Sequence, residues 1–310
     1  MSGALTLAFV GAPGTAKELG KKSTQSDITL YHDVHGDRAL TLVEPSQYPE
    51  KFASLLFALA LSERAIFIVD GLNRSIAETA ATVDLFDLPV ELRHGPAVGA
   101  EELRKAFKGL RLVDAPTAPL DLMRLREELA TAPERPSVGP VRVVLDHYFP
   151  VKGVGTVALG FVQQGTLTAH ATLKLLPTAK SVEVRSVQVH DVDVPSASAG
   201  ERVGVALKGI EVDELSRGQV LAAEPALPVA TRLSGGSGRK CPYYRGDLGV
   251  GAHLHALVGL QFVPAAVTAF SGETITVETD RPVVAAPGAT MILADLSAPV
   301  GPRSVGRWTI

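Results

Sequence analysis

Cysteine occurs once in the 310 residues, at Cys241, which leaves no internal disulfide and no cysteine-rich zinc site. A reducing, cytoplasmic setting is the expectation. Charge of one sign is also lacking: 30 Lys and Arg stand against 33 Asp and Glu, a formal net charge of -3. No global basic field therefore draws the chain to nucleic acid, although a local groove would be hidden in the sum, and DNA is not expected as a partner. Long apolar runs are absent too. Nothing approaches the roughly 18 residues of a membrane span, and the run Phe52–Leu61 reads as a buried helix. The opening "MSGALTLAFVG" lacks a basic leader, so no signal peptide is expected. What the chain does have is 46% hydrophobic residues, enough for two or three globular domains with no membrane partner.

Up to about residue 135 strands and helices alternate. "LTLAFVG" and "RAIFIVDG" are apolar runs closed by glycine, as buried parallel strands are. "EKFASLLFALALSE", "AETAATVDLF", "AEELRKAFKGL" and "APLDLMRLREELA" read as helices, which predicts a parallel sheet with crossover helices. The proline-rich "TAPERPSVGPV" reads as a linker. Beyond it, short alternating stretches such as "GTVALGFVQQG" and "RVGVALKG", set off by Gly, Pro and Asp, predict an antiparallel barrel. A second linker with a glycine-serine turn is expected in "AAEPALPVATRLSGGSG", followed by a second β unit from "HLHALVGLQFV" to "RSVGRWTI". The expected division is an α/β domain over 1–135 and β-barrels over 136–225 and 226–310.

The loop after the first apolar run almost matches the phosphate-binding pattern G-x-x-x-x-G-K-[ST]. It reads Gly11-Ala12-Pro13-Gly14-Thr15-Ala16-Lys17-Glu18, with alanine for the second glycine and glutamate for the hydroxyl. Gly11, Gly14 and Lys17 are the remaining phosphate-loop candidates. Two readings stand: a plain strand-to-helix joint with solvated lysines, or a weak anion site at a helix N-terminus using Lys17.

The middle of the chain, "DHYFPVKGVGTVALGFVQQGTL" and "KSVEVRSVQVHDVDVPSASAGERVGVALKGIEVDELSRGQVL", resembles the second domain of translational GTPases of the elongation factor Tu kind, and SelB among them. The terminal "DLSAPVGPRSVGRWTI" resembles the last strands of the third domain. "GKKSTQSDITLY", "VEPSQYPEKFASLLFALA" and "AETAATVDLFDLP" resemble an archaeal SelB paralogue with degenerate nucleotide motifs. The resemblance implies a degenerate P-loop GTPase-like α/β domain followed by two antiparallel β-barrels.

It also implies where a nucleotide site should lie. The motif D-x-P-G-H aligns with Glu44-Pro45-Ser46-Gln47-Tyr48, so the magnesium-shell aspartate, the phosphate-facing glycine and the water-positioning histidine are all replaced. The guanine-reading N-K-x-D has no counterpart in "LPVELRHGPAVGAEEL", and Asn73 comes too early. Loss of GTP hydrolysis is expected, with no catalytic residues, no cofactor and no metal. The alternative is an active GTPase in which Glu18 or Glu44 holds magnesium.

SelB-type factors place the aminoacyl group near an Asp-His pair and an arginine, to which Asp146, His147 and Arg202 correspond. The resemblance thus implies a small-anion pocket in which Asp146 orients His147. The competing reading makes Asp146 a strand cap, His147 a rim residue and Arg202 a surface residue. His253 and His255 share a strand face but lack further ligands for a metal. Cys241 between basic residues and two tyrosines reads as packing rather than a reactive thiol. The expected function is a SelB-like accessory factor of translation, bound to tRNA or the ribosome without the GTP switch. A barrel scaffold for a protein or metabolite partner is the further alternative. The chain stops after the third domain, so reading of a messenger element is not expected.

Overall fold

The computed structural model describes residues 3–35, 38–131, 138–225 and 227–310. The first unit is a seven-stranded mixed sheet in the order β2-β3-β4-β1-β5-β6-β7. Its elements are β1 (Ala4–Val10), β2 (Lys21–Gln25), β3 (Thr29–His35), β4 (Arg38–Glu44), α1 (Phe52–Leu61), β5 (Arg64–Val69), α2 (Arg74–Val83), β6 (Val90–His94), α3 (Ala100–Ala106), β7 (Thr117–Pro119) and α4 (Leu122–Ala130). Every residue of β1 and β4 is buried, because helices cover both faces of the sheet. Val10, Val43, Phe67 and Val69 face α1, α2 and α3, while Leu7, Phe9, Leu42 and Ile68 face Leu125 and Leu129 of α4. The i,i+4 spacing of those two leucines puts both on one helix face. Side-chain caps start two helices: Asn73 Oδ1 accepts from the Ile76 N–H at 2.9 Å, and Asp121 Oδ1 from the Arg124 N–H at 3.1 Å.

The sequence pattern predicts a fully parallel sheet, and the structure departs from it at one edge. β4, β1, β5, β6 and β7 run parallel, but β3 pairs antiparallel with β4 and β2 antiparallel with β3. No α-helix joins β1 to β4 among the described residues. The polar "KKSTQ" and the mixed "TLYHDVH", with its β-branched Thr29 and Val34, form a hairpin there instead. Gly20 lets the hairpin close: a Cβ at this position would lie 2.9 Å from the His32 carbonyl oxygen.

The second unit comprises β8 (Arg142–Val151), β9 (Gly155–Gln164), β10 (Thr166–Thr168), β11 (Thr172–Leu176), β12 (Lys180–Val189), β13 (Val192–Val194), β14 (Ser196–Ser198), β15 (Arg202–Lys208) and β16 (Val220–Ala222). The order β11-β16-β8-β9-β15-β12, closed by β11 on β12, makes a six-stranded antiparallel barrel around Leu145, Val184, Val205 and Leu221. The third unit is a closed barrel of β17 (Val229–Lys240), β20 (Thr274–Val284), β19 (Gln261–Ser271), β18 (His253–Val258), β21 (Thr290–Ala294) and β22 (Ser304–Thr309).

The proline-rich linker read in the sequence falls largely on residues 132–137, outside the described residues. The second linker is a correction. Its glycine-serine segment is no turn but the middle of β17, where glycines make room for the buried Trp308. A Cβ on Gly238 would lie 2.0 Å from Trp308 Nε1, and one on Gly235 2.7 Å from Trp308 Cβ.

The three units pack as one body. Arg303, just before β22, forks onto Glu78 of α2 at 2.9 and 2.6 Å and lies over the Phe52 ring at 4.6 Å. Arg217 of the second unit reaches Asp27 at 2.7 Å and covers Phe57 of α1 at 4.8 Å. Lys51 meets the same Asp27 at 3.0 Å. Burial of the Asp27 carboxyl would raise its pKa, but Arg217 and then Lys51 outweigh that and hold it well below the usual carboxylate range.

Candidate functional site

The carboxyl ends of the parallel strands β1 and β4 meet at the near-match loop, the usual ligand crevice of an open α/β sheet. Gly11 leaves β1 at a φ of +94°, and a Cβ there would lie 2.1 Å from the Ile68 carbonyl oxygen. The loop then turns back on itself, with the Thr15 hydroxyl donating to the Ala12 carbonyl at 2.9 Å. A phosphate loop opens a helix. Here only the short 3-10 turn Ala16–Glu18 follows, and β2 begins at Lys21. The helix N-terminus on which the anion-site reading depends is not formed here, and exposed Lys17 pairs with Glu18 at 3.8 Å. Of the three phosphate-loop candidates, Gly11 and Gly14 shape the loop, and the stem of Lys17 passes Gly14, 3.9 Å from where a Cβ there would lie.

The loop N–H groups are nevertheless engaged by an anion, and it comes from the chain itself. Buried Glu44, at the end of β4, accepts from the Ala16 N–H at 2.7 Å and the Gly14 N–H at 3.2 Å. The Tyr31 hydroxyl is a further partner. Burial pushes the Glu44 carboxyl above its ordinary range, against the pull of the Ala16 and Gly14 N–H groups and of Tyr31. Charge-assisted bonds of this kind are what a bound phosphate would make.

The other replaced positions are spent in the same way. The Gln47 N–H donates to the Asp27 carbonyl at 3.1 Å. The Tyr48 hydroxyl sits 2.8 Å from the Ser75 carbonyl oxygen and 3.0 Å from Glu78 Oε2. Arg303 donates to both oxygens of that carboxylate and holds the Glu78 pKa below its ordinary value, although burial opposes this. Asn73 is the cap of α2, which accounts for it without any base recognition.

Asp146 and Arg202 are brought together, but not as a pocket that orients His147. Arg202 Nη2 donates to Asp146 Oδ2 at 3.0 Å and Nη1 to the Thr24 hydroxyl of β2 at 2.9 Å. Neither alternative foreseen for Arg202 describes it: its side chain is only 6% exposed and ties the barrel to the α/β unit. Asp146 Oδ1 and Arg202 Nε are enclosed without a hydrogen-bond partner. His147 is half-buried, with no hydrogen bond to Asp146 among the described residues, and its ring lies 5.7 Å from that of Phe149. The register of β8 against β9 shifts between Leu145 and His147, so Asp146 sits at an irregularity of the strand. The arginine's burial was invisible in the sequence because β2, its partner, was not foreseen as a strand.

A second contact between these units pairs His32 of β3 edge-on with His190, ring centroids 4.7 Å apart. Burial first, then the charges of His190 and Arg202, push His32 down to about 4. At the end of the first barrel a cavity of about 630 Å³ is lined by Lys152, Arg185, Lys208, Val151, Leu207 and Ile210. Glu211 lines it as well and Lys208 pairs with Glu183 at 3.1 Å, so Lys152 and Arg185 carry its positive charge. Of the remaining sequence candidates, His255 stacks on Phe262 at 5.0 Å, and no group of three metal-ligating side chains occurs among the described residues. Cys241 is buried, its thiol pushed up by burial, in keeping with packing. No described helix is long and apolar enough to cross a membrane.

Three comparisons place this geometry. The family model for elongation factor Tu domain 2 matches residues 155–222. An uncharacterised protein of Methanocaldococcus jannaschii is 34% identical over 98% of this chain and 99% of its own length. The selenocysteine-specific elongation factor of that organism is 24% identical over 90% of this chain, which spans 64% of that longer protein. The crystal structure of translation elongation factor SelB from Methanococcus maripaludis with the GTP analogue GPPNHP superposes with a TM-score of 0.84 at 22% identity, over 99% of this chain and 78% of that one. Its apo form gives 0.80 over 99% and 79%.

Proposed function

The chain belongs to the SelB-like branch of the elongation factor Tu superfamily, and from that premise we propose that it serves translation as a tRNA- or ribosome-associated factor without a guanine-nucleotide switch. The observation that carries the reading is Glu44. Its carboxylate satisfies the N–H groups of Gly14 and Ala16 on which a nucleotide's phosphates would depend. Entry of GTP would require that buried group to leave and two like-charged anions to share one crevice. Neither glutamate suits magnesium: Glu44 is committed to the loop, and Glu18 is exposed beside Lys17.

In a switch, a terminal phosphate biases a bistable segment. The corresponding segment here is bound to the rest of the molecule through Gln47, Tyr48, Glu78 and Arg303, which favours one fixed arrangement of the three units. The Asp146–Arg202–Thr24 contact belongs to the same fixing. The factor thus acts as a static docking piece in which the cavity with Lys152 and Arg185 offers cations for phosphate and apolar walls for a base.

Sequencing the RNA that co-purifies with the protein, followed by gel retardation with the enriched species, tests the reading. Enrichment of tRNA or ribosomal RNA, with affinity falling as salt rises, supports it. No association with tRNA or ribosomes at low salt overturns it.

A further inference from the structure

The first barrel meets the α/β unit at a contact built from two imidazoles. His32 of β3 lies edge-on to His190, ring centroids 4.7 Å apart and planes at 89°. His190 and Asp191 make the two-residue turn between β12 and β13, and both sit in the left-handed region, at φ of 52° and 63°. Turns of this length prefer asparagine and glycine, which adopt that backbone at little cost. Here a histidine is held in it, and its ring is delivered to the other unit. Strained backbone persists only where the surroundings over-determine it.

Charge surrounds the pair. Facing His32 are Arg202 from β15, His190 and Asp191 from the turn, and Lys21, its cross-strand partner on β2, while β4 contributes the neutral Thr41. On the same strand as His32, Asp33 is engaged by Arg126 of α4 across the sheet. One acid therefore stands against two cations when the imidazoles are neutral, and against four when both carry a proton. Beside this contact Asp146 Oδ1 and Arg202 Nε are enclosed without a hydrogen-bond partner. Buried polar atoms left unpaired favour a movement that lets water reach them. The other ties between the units withstand acid. Against the effect of burial, Arg217 and Arg303 hold Asp27 and Glu78 below the ordinary carboxylate range. The seam of Leu176, Val220 and Ala222 against Val284, which joins the two barrels, carries no charge.

We propose that the imidazole pair is an acid-released latch: its protonation parts the β12–β13 turn from β3 while Arg217 and Arg303 keep the three units joined. In the closed form burial, and then the charges of His190 and Arg202, push His32 down from 6.5 to about 4. The closed form is fully favoured above 6.5, and its ratio to the released form falls roughly tenfold for each pH unit between there and 4. Release gives Asp146 and Arg202 access to water. The latch is independent of the RNA-binding reading, and its test reads no RNA.

Nitroxide labels on Val34→Cys and Val192→Cys, exposed positions on either side of the contact, read the opening by pulsed electron–electron double resonance. Cys241 is buried and stays unlabelled. Acidification from pH 7 to pH 4.5 is expected to raise the ratio of long to short distances roughly 100-fold. His32→Gln should hold that ratio nearly constant over the same range. His32→Phe, which keeps a ring against His190 and has no proton to gain, repeats the test should His32→Gln lower the unfolding midpoint. The emission of Trp308, the one tryptophan and buried in the third unit, should not change. An unaltered distance at pH 4.5, an acid response kept in the His32 variants, or loss of the Trp308 signal together with the distance change would each overturn the proposal.

Discussion

Glu44→Ala removes the carboxylate that occupies the loop and leaves its donors in place. The Ala16 N–H, bonded at 2.7 Å on a buried residue, loses its acceptor, as does the Gly14 N–H at 3.2 Å. An orphaned buried donor costs about 1–3 kcal/mol, and a bond to a charged acceptor contributes about 1.5–3 kcal/mol. Relief of the buried charge, visible as the upward displacement of the Glu44 pKa, offsets part of this. The expected net loss is about 1–3 kcal/mol, a fall in Tm of roughly 2–10 °C for a chain of this size. The variant has an empty nest of N–H groups, so inorganic phosphate should restore stability to it and not to the native protein. Differential scanning calorimetry in phosphate and in chloride, at matched ionic strength, reads both effects. An alanine variant as stable as the parent, or a phosphate response equal in the two proteins, would refute the argument that Glu44 takes the anion's place.

The His32–His190 contact gives a pH dependence. Burial depresses the folded pKa of His32 from 6.5 to about 4, so its contribution to stability is full above the unfolded value and is lost as pH falls toward 4. Between about pH 7 and pH 5 the loss should be about 1–2 kcal/mol, and His32→Gln should flatten that part of a urea-unfolding profile, with an unaltered slope counting against it. Arg303→Ala strips Glu78 of its partner and exposes Phe52, with an expected cost of about 2–4 kcal/mol at neutral pH by chemical denaturation. Glu78 is held below its ordinary pKa, so the stability it contributes is present above the unfolded value and is lost as pH falls through the folded one, and the variant should lose less than the parent on acidification. Arg202→Ala should cost about 3–5 kcal/mol by leaving Asp146 buried and uncompensated, and Arg202→Lys should recover only part of it, since one ammonium cannot span Asp146 and Thr24 as the fork does.

Legibility in the sequence followed the locality of each signal. Apolar runs, such as "RAIFIVDG" closed by glycine and the run that forms α1, and the helical periodicity of α4 are written within a few residues, and the fold class they imply was read correctly. The β2–β3 edge was missed because a near-match phosphate loop implies a helix, and the all-polar "KKSTQ" has no apolar alternation to mark it as a strand. The glycine-serine segment of β17 misled because glycine signals a turn and close approach to another group alike, and only Trp308, far along the chain, distinguishes them. At the site, Ala16, Glu18, Glu44, Gln47 and Tyr48 were legible as departures from the motif patterns. What they gained was not: Glu44 folding back onto the loop is a contact across 28 residues. The signal available was the pairing of a longer acid at position 44 with a loop that keeps its N–H groups but lacks its helix.

Calorimetric titration of the native protein with GTP and magnesium tests the central claim most directly. If the crevice is filled from within, injections should give heats of dilution only, alike for GTP and ATP. A saturable, magnesium-dependent isotherm that prefers guanine over adenine would contradict it.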